Sequence, residues 1–572
     1  MKPIERQQSI PLCTVSWAAL LLLSAAFSAS GQETPAPTGT VKILFTYGSE
    51  KKTWIEEMTK QFNAEGHQIP SGERIERIEV ESQPDGSNVI VTEALEGIKK
   101  PHLISPASNV FIKDANGRAQ ELSQPELINE SETRPLVVSP LVIAIWRDRA
   151  EAMGWPGKPI GWRDFFDYIA NPDEWKAIRK GAWGNFKYGH THPDYSNSGI
   201  LALLSQFYAG LNQYDGQKVK LSDIRQKPVL DYVRRIESAT VHYGESTGFF
   251  AEKMFNQGSQ YLTAAILYEN LVYEANKKKA KPGEPPQVVA IYPAEGTFPN
   301  DHPVGIVNRD WVKPRERAAA ETYIQYLLER PQQEKALASG FRPVDKSIPI
   351  ADVLKPEFGV DASKFKHETV LETPSYQVIK EARILWRKYK RAADIVLAID
   401  TSGSMKGKKI RRAEDAAKQF INQLSDGDTL SIILFSTEAD FVRNEPFVMN
   451  KEGKAEAIAQ IQGLDPDGAT AFNQAVDKGY SYLEARDPKR NRALVVLSDG
   501  KDTQRGVTQQ QLLDHVYNDG EKNIYIFTIG YGDGKDLDPE TLKSVADRTR
   551  AKYYKADPKT IRKTLREIVT FF

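Results

Sequence analysis

Short apolar runs alternate with amphipathic stretches along the chain, and they do so in two successive series. Val41-Lys42-Ile43-Leu44-Phe45-Thr46 reads as a strand bounded by the Tyr47-Gly48-Ser49 turn. Trp54, Ile55, Met58, Gln61 and Phe62 then recur near helical spacing. Ile78 to Glu81 reads as a second strand, and His102-Leu103-Ile104-Ser105-Pro106 as a third. Strand–helix–strand alternation predicts an α/β domain with a largely parallel sheet. Leu136 to Trp146 is one long extended apolar stretch. From about Trp162 to Leu271 the pattern turns helical and predicts a second lobe. Val288-Val289-Ala290-Ile291-Tyr292 returns to strand, and a helix runs from about Arg315 to Glu329 behind Pro314, a residue suited to a first helical turn. Tyr376 to Arg391 carries many charges and no Gly or Pro, which predicts a connecting helix. Asp394 to Asp400 opens the second series.

A length of 572 residues exceeds one hydrophobic core and implies several. Basic and acidic residues balance at 76 each, so net charge gives no sign of a nucleic-acid partner. Cys13 is the only cysteine, which excludes an intrachain disulfide, a cysteine zinc site and a CxxC redox pair. Lys2 and Arg6, the apolar Trp17 to Leu23 run and Ser28-Ala29-Ser30 before Gly31 read as a secretory signal over residues 1–30. An uncleaved N-terminal membrane anchor is the alternative, because the stretch nears the minimum spanning length. Either reading puts the bulk of the protein outside the cytoplasm, in the periplasm or the extracellular space. Residues 31–40 form a Pro/Gly/Thr linker.

The chemistry concentrates in the second series. The apolar strand Asp394–Asp400 runs into Asp400-Thr401-Ser402-Gly403-Ser404. Alternate side chains of an extended segment share a direction, so Asp400, Ser402 and Ser404 are expected to converge, with Gly403 permitting a tight turn. A second apolar strand, Ala493 to Leu497, ends in Ser498-Asp499-Gly500, and Thr470 precedes a helix from Phe472 to Leu483. The carboxyl edge of a parallel sheet is its binding crevice. Asp400, Ser402, Ser404, Thr470 and Asp499 are all hard oxygen donors, with no His or Cys. Such a set suits Mg²⁺, with Mn²⁺ or Ca²⁺ possible, over Zn²⁺ or copper. Two carboxylates balance one divalent ion, and positions remain for water or an incoming oxygen. Helix capping and turn closure are the alternative roles of strand-end Asp and Ser. Asp502, Asp465 and Asp467 read as solvated loop residues.

On these residues, 392–572 resemble a von Willebrand factor A domain, and the DxSxS motif with Thr470 and Asp499 resembles its metal-ion-dependent adhesion site. The resemblance implies a doubly wound sheet flanked by helices and a protein partner whose Asp or Glu completes the metal shell. Ile410, Ala413, Ala417, Phe420, Ile421 and Leu424 supply one apolar helix face, and Ile524 to Gly530 a late strand.

Residues 41–375 resemble a two-lobed bacterial extracellular solute-binding protein of the periplasmic-binding-protein type II class. The pattern is distributed. It includes Tyr47-Gly48-Ser49, Gly189 to Pro193 leading to Ser196-Asn197-Ser198-Gly199, Ala264 to Asn270, Tyr292 to Thr297 and Gly340-Phe341-Arg342-Pro343. The resemblance implies two lobes closing on a small ligand. Ser49, before a helix start that favours an anion, together with Ser105, Ser198, Tyr268 and Glu269, are the candidate ligand contacts. Helix capping competes for the serines, and a hinge or core hydrogen bond for Tyr268 and Glu269. His190 and His192, with Asp194 nearby, invite a metal reading against that of a solvated loop, although their spacing fits no zinc pattern. His102 and His302 receive no role.

The chain thus divides into a signal (1–30), a linker (31–40), a two-lobed module (41–375), a connecting helix (376–391) and a von Willebrand factor A domain (392–572). Nucleophile elbow, P-loop, HExxH and Cys/His signatures are missing from the sequence, so an enzyme is not expected. The expected function is secreted or periplasmic binding: the metal site engages a protein partner, and the first module binds a small or anionic solute. The alternative is the receptor of an ABC-type uptake system, delivering solute to a membrane transporter, with the second module as tether or regulator.

Overall fold

A computed structural model describes residues 39–71, 74–178, 183–211, 218–279, 281, 283–365, 370–500, 502–504, 506–517, 524–531, 537–556 and 561–571, leaving aside the side chains of 562 and 563. The segment expected to be a signal, with Cys13, and most of the expected linker lie outside these residues. Among the described residues, no helix is long and apolar enough to cross a membrane.

The first module is two sheets. Across the first lobe the strands run Gln68–Ser71, Arg74–Asp85, Gly39–Gly48, Leu103–Ser105, Pro303–Ile306 and Arg134–Pro135. Gly39–Gly48 pairs in parallel with Arg74–Asp85 on one side and with Leu103–Ser105 on the other. Chain order therefore reverses beside it, and the crevice at its carboxyl end is where Ser49 and Ser105 emerge. The helix Lys52–Glu65 buries Trp54, Ile55, Met58 and Phe62 on this sheet, whereas Gln61 faces solvent. The second lobe orders Val288–Ile291, Leu141–Trp146, Ala264–Tyr268, Tyr188–Thr191 and Thr240–Gly244.

The sheets of this module are mixed rather than largely parallel: Pro303–Ile306 and Leu141–Trp146 each pair antiparallel with both neighbours. The extended stretch from Leu136 to Trp146 divides between two sheets. Val137–Val138 pairs with Arg342–Pro343, while Leu141–Trp146 enters the second lobe's sheet. Pro140, with no N–H to give a ladder, stands at the break. The stretch from Trp162 to Leu271 is also less uniformly helical than its pattern, because it supplies the strands Tyr188–Thr191, Thr240–Gly244 and Ala264–Tyr268. These strands are four or five residues long and almost wholly buried. A short strand covered on both faces shows no alternation to read.

The connecting helix, Tyr376–Tyr389, lies across both lobes. Arg383 donates to Asp114 of the first lobe at 2.7 Å and to the Pro193 carbonyl of the second at 3.2 Å. Trp386 donates its indole N–H to the buried Glu237 at 2.9 Å.

The second module is one sheet ordered Ala439–Phe441, Thr429–Phe435, Ala393–Asp400, Asn491–Ser498, Ile524–Gly530 and Tyr553–Lys555, with Phe447–Val448 pairing onto Thr429–Phe435. From Thr429–Phe435 to Tyr553–Lys555 all neighbours are parallel. Every residue of Ala393–Asp400 and of Asn491–Ser498 is buried, as expected of strands covered on both faces. The helix Lys408–Gln423 buries Ile410, Ala413, Ala416, Ala417, Phe420 and Ile421. Each large aliphatic or aromatic side chain so buried contributes about 1.5–3 kcal/mol.

Candidate metal centre and interlobe cleft

The chain leaves Ala393–Asp400 for one neighbour, Thr429–Phe435, and returns on its other side as Asn491–Ser498. That reversal opens the second sheet at its carboxyl edge between these strands, and each delivers one aspartate there. Asp400 is 0% exposed and Asp499 is 1% exposed. The Asp400 carboxylate accepts from the Ser402 N–H at 2.8 Å and from the Ser498 hydroxyl at 2.6 Å. Among the described residues, none donates a hydrogen bond to either oxygen of Asp499. The Lys409 ammonium stands 3.8 Å from Asp499 Oδ2, beyond hydrogen-bonding reach. Burial pushes the Asp400 carboxyl up to about 6; the two serines oppose this, and the Asp499 charge adds to it.

The serines converge as expected, with their hydroxyls 2.9 Å apart. The chain is extended at Ser402 and then makes the tight turn expected at Gly403, as a 3-10 turn over Gly403–Met405. The Gly403 N–H donates to the Gly468 carbonyl at 3.0 Å, and a Cβ on Gly403 would stand 3.3 Å from that oxygen. The same loop is held by Asp467 N–H to the Thr401 carbonyl at 2.9 Å. Thr470, 4% exposed, exchanges two hydrogen bonds of 2.9 Å with Thr503, beyond Asp499. All three loops are thereby tied together around the two aspartates. Ser404 is exposed and marks the open side. The donors fit a hard divalent cation: hydroxyls and two buried carboxylates, one of which accepts no hydrogen bond and meets a cation only at 3.8 Å.

Asp465 and Asp467 are exposed, as expected. Asp502 is instead a cap: its carboxylate accepts from Asn473 N–H at 2.7 Å, at the start of the helix Phe472–Glu484. Sequence reasoning gave no role to Ser498 or Thr503. Ser498 was legible as a hydroxyl at the strand end that also delivers Asp499.

In the first module, Ser49 does not cap its own helix but meets the first turn of Thr247–Gln257 in the other lobe. Its hydroxyl donates to Ser246 Oγ at 2.8 Å and accepts from the Gly248 N–H at 3.1 Å, both across the interlobe boundary. Ser105 is fully buried, its hydroxyl 3.5 Å from the His302 carbonyl. Ser198 lies inside the first turn of Asn197–Leu211, bonded to Thr191 and Thr247 at 2.7 and 2.9 Å. Tyr268 accepts from Asn197, which also accepts from Ser108 of the first lobe at 2.6 Å. Glu269 stands apart from this cluster. Its carboxylate takes the Arg342 fork at 2.7 and 2.8 Å and the Tyr292 hydroxyl.

Beside Ser49 lies a buried charged group that sequence reasoning missed. The Lys51 ammonium meets Glu50 at 2.7 Å and His302 Nδ1 at 3.2 Å. Burial pushes Glu50 up, yet Lys51 and His302 outweigh it and hold its carboxyl near 2. Burial brings His302 down to about 4, and its Nε2 has no partner. His190 and His192 are neither solvated nor paired with each other. His190 bonds the Thr191 carbonyl and Glu237, and His192 stacks on Tyr195 with ring centres 4.3 Å apart.

The bacterial extracellular solute-binding protein model matches residues 43–342, more than half of the chain. The chain belongs to the bacterial extracellular solute-binding protein family. This family member carries in addition a von Willebrand factor type A domain, matched over residues 394–568. Among curated proteins, human inter-alpha-trypsin inhibitor heavy chain H2 is 29% identical over 160 residues, 27% of this chain and 17% of its own. Human heavy chain H1 is 26% identical over 165 residues, 28% of this chain and 18% of its own. The chain thus spans less than a fifth of either relative's length. Among solved structures, the periplasmic binding protein AfuA from Actinobacillus pleuropneumoniae matches 62% of this chain and 98% of its own. Identity there is 14% and the TM-score 0.42. A von Willebrand factor type A protein from Catenulispora acidiphila matches 32% of this chain and 42% of its own, at 23% identity and a TM-score of 0.28.

Proposed function

We propose that this solute-binding protein works outside the cytoplasm, where its second module grips an acidic group of a protein partner through a divalent metal, Mg²⁺ by preference. Asp400, Ser402, Ser404, Thr470 and Asp499 hold the ion. The observation that carries the reading is the Asp499 carboxylate, buried and accepting no hydrogen bond from the described residues, beside two converging hydroxyls on the open edge of the sheet. A buried carboxylate is costly unless cations offset it, and Lys409, 3.8 Å from one Asp499 oxygen and donating no hydrogen bond to it, offsets it only in part. When bound, the ion supplies the positive charge that attracts a partner carboxylate. The chain's own residues do the rest: Ser498 orients Asp400, and Thr503 ties the Thr470 loop to the Asp499 loop. The first module takes a small solute between its lobes, supported by the family match and by the polar cluster of Ser49, Ser246, Lys51 and His302 at their boundary. The same match supports delivery to a membrane transporter as a second reading, with the metal module as tether.

Calorimetric titration of the full chain with Mg²⁺ tests the metal, with capture of a bound partner run with and without chelator. Saturable binding that Asp400→Ala abolishes, and capture that chelator reverses, are expected. Equal capture with and without chelator by wild type and variant would sink the reading.

A further inference from the structure

On the last described helix, Ile561–Val569, the Arg566 guanidinium stands among apolar neighbours: Leu565, Ile568 and Val569 are at most 3% exposed, and Arg566 is 9% exposed. Three nitrogens of Arg566 face three different carboxylates. Nε lies 3.1 Å from Glu245 Oε1, Nη2 3.5 Å from Asp85 Oδ2, and Nη1 3.5 Å from Glu93 Oε1. Asp85 ends the strand Arg74–Asp85, and Glu93 lies on the helix Ser87–Leu95, so both belong to the first lobe. Glu245 follows Thr240–Gly244 in the second lobe. The meeting point is the rim of the interlobe crevice, since Asp85 is in register with Gly48, next to Ser49. There the lobes already touch: a Cβ on Gly86 would stand 2.6 Å from the Tyr195 carbonyl and 3.2 Å from that of Glu245.

Carboxylates gathered from two lobes repel one another and lose hydration on burial. A planar guanidinium, always charged and forked, answers all three at once. Burial works against the Arg566 charge, but Asp85, Glu245 and Glu93 outweigh it. A second contact ends the same segment: the Phe571 ring meets His242 of the second lobe edge-on at 4.2 Å, with the Lys253 ammonium 3.8 Å over its face. Glu93 and Arg566 also line a cavity of about 1240 Å³ between the modules, together with Asp194, Arg387 and Lys454. The rim is therefore reachable from outside the helix.

We propose that Asp85, Glu93 and Glu245 form a guanidinium site spanning the two lobes, filled in cis by Arg566, so that the second module acts as a tethered ligand holding the first closed. The contact exists only while the lobes are together. Opening the first module therefore requires Arg566 to leave, and a guanidinium from a solute or partner competes for its place. None of this depends on which solute or metal the modules take.

Hydrogen exchange on the full chain tests it. The Asn88 N–H donates to the Tyr195 carbonyl at 3.0 Å and the Gly248 N–H to Ser49 Oγ at 3.1 Å; both bonds cross the lobes and report closure. In Arg566→Ala these two amides should exchange faster by about tenfold, as expected for losing a charge-assisted contact. The amides of Asn491–Ser498 should keep their protection, and Arg566→Lys, which keeps the charge without the fork, should fall between. Low-millimolar guanidinium chloride should restore protection to Arg566→Ala, and sodium chloride at equal ionic strength should not. Unchanged exchange at both reporter amides overturns the proposal. So does acceleration spread evenly over both modules, or rescue by either salt alike.

Discussion

The two modules each open a crevice at the carboxyl ends of strands paired in parallel, and the polar groups chosen from the sequence there behave in opposite ways, although His302 Nε2 in the first crevice also lacks a hydrogen-bond partner. In the second module the fold leaves a carboxylate over: Asp499 is buried and accepts no hydrogen bond from the described residues. In the first, Ser49, Ser198, Tyr268 and Glu269 are all hydrogen-bonded by the chain itself, Ser49 across the lobe boundary. A buried polar group is satisfied in nearly every fold. One that is not points to something the chain itself does not supply. A set that is satisfied across a hinge marks energy stored in closure. One crevice is thus built around an outside ion, and the other around the contact between its own walls.

The sharpest way to test that contrast is Glu269, a sequence candidate for solute contact that the structure spends on an ion pair. Arg342 is its partner at 2.7 Å, with side chains 10% and 0% exposed. Removing one member of a buried pair strands the other, at a cost of about 3–5 kcal/mol. Glu269→Ala should lower the denaturation midpoint of the first module accordingly, and Glu269→Met with Arg342→Met should cost much less. If Glu269→Ala melted like wild type but lost a solute's stabilising effect, Glu269 would be a ligand contact after all.

At the other crevice the change is smaller and of the opposite kind. An ion that binds only the folded state stabilises it by mass action, about 2.7 kcal/mol at a hundred times its dissociation constant. Wild type should therefore melt higher in Mg²⁺ than in chelator, and Asp499→Ala should melt alike in both. Because Asp499 accepts no hydrogen bond from the described residues and meets Lys409 only at 3.8 Å, its loss should lower the melting temperature in chelator little. A marked drop there would mean that the carboxylate serves the fold and not an ion.

Why one crevice was legible and the other was not follows from the same contrast. Asp400, Ser402 and Ser404 sit within five residues at the end of an apolar strand, and Asp499 closes another such strand, so the motif is local and its context readable. The tight turn that Gly403 permits was legible too, though not its 3-10 form over Gly403–Met405. The first module's boundary pairs residues far apart in sequence: Ser49 with Ser246, Ser108 with Asn197, Arg342 with Glu269. No spacing rule reaches across such distances. Arg566 is the extreme case, a cation on an apolar face whose three carboxylate partners lie more than three hundred residues earlier.

The smallest expected effect separates the modules by pH. Burial holds His192 down to about 3 and His302 to about 4. Between those values and the ordinary histidine range near 6.5, protons bind the unfolded chain in preference to the folded one. The stability these residues confer is full above about 6.5 and drains as pH falls towards 4. Between pH 7.5 and 5.5 each such histidine should cost about 1.4 kcal/mol of stability. His515, the one histidine of the second module, runs the other way. Asp477 and Glu484 outweigh its partial burial and raise its pKa. Its contribution is therefore full below the unfolded pKa and lost as pH rises through the folded one. It is a third exposed, so solvent screening keeps that contribution small. Chemical denaturation of wild type and His192→Gln at the two pH values should show the variant losing less stability on acidification, by about 1.4 kcal/mol. Equal losses in the two proteins would mean that His192 takes up its proton in the folded chain, and that the ring stacked on Tyr195 is not sealed from water.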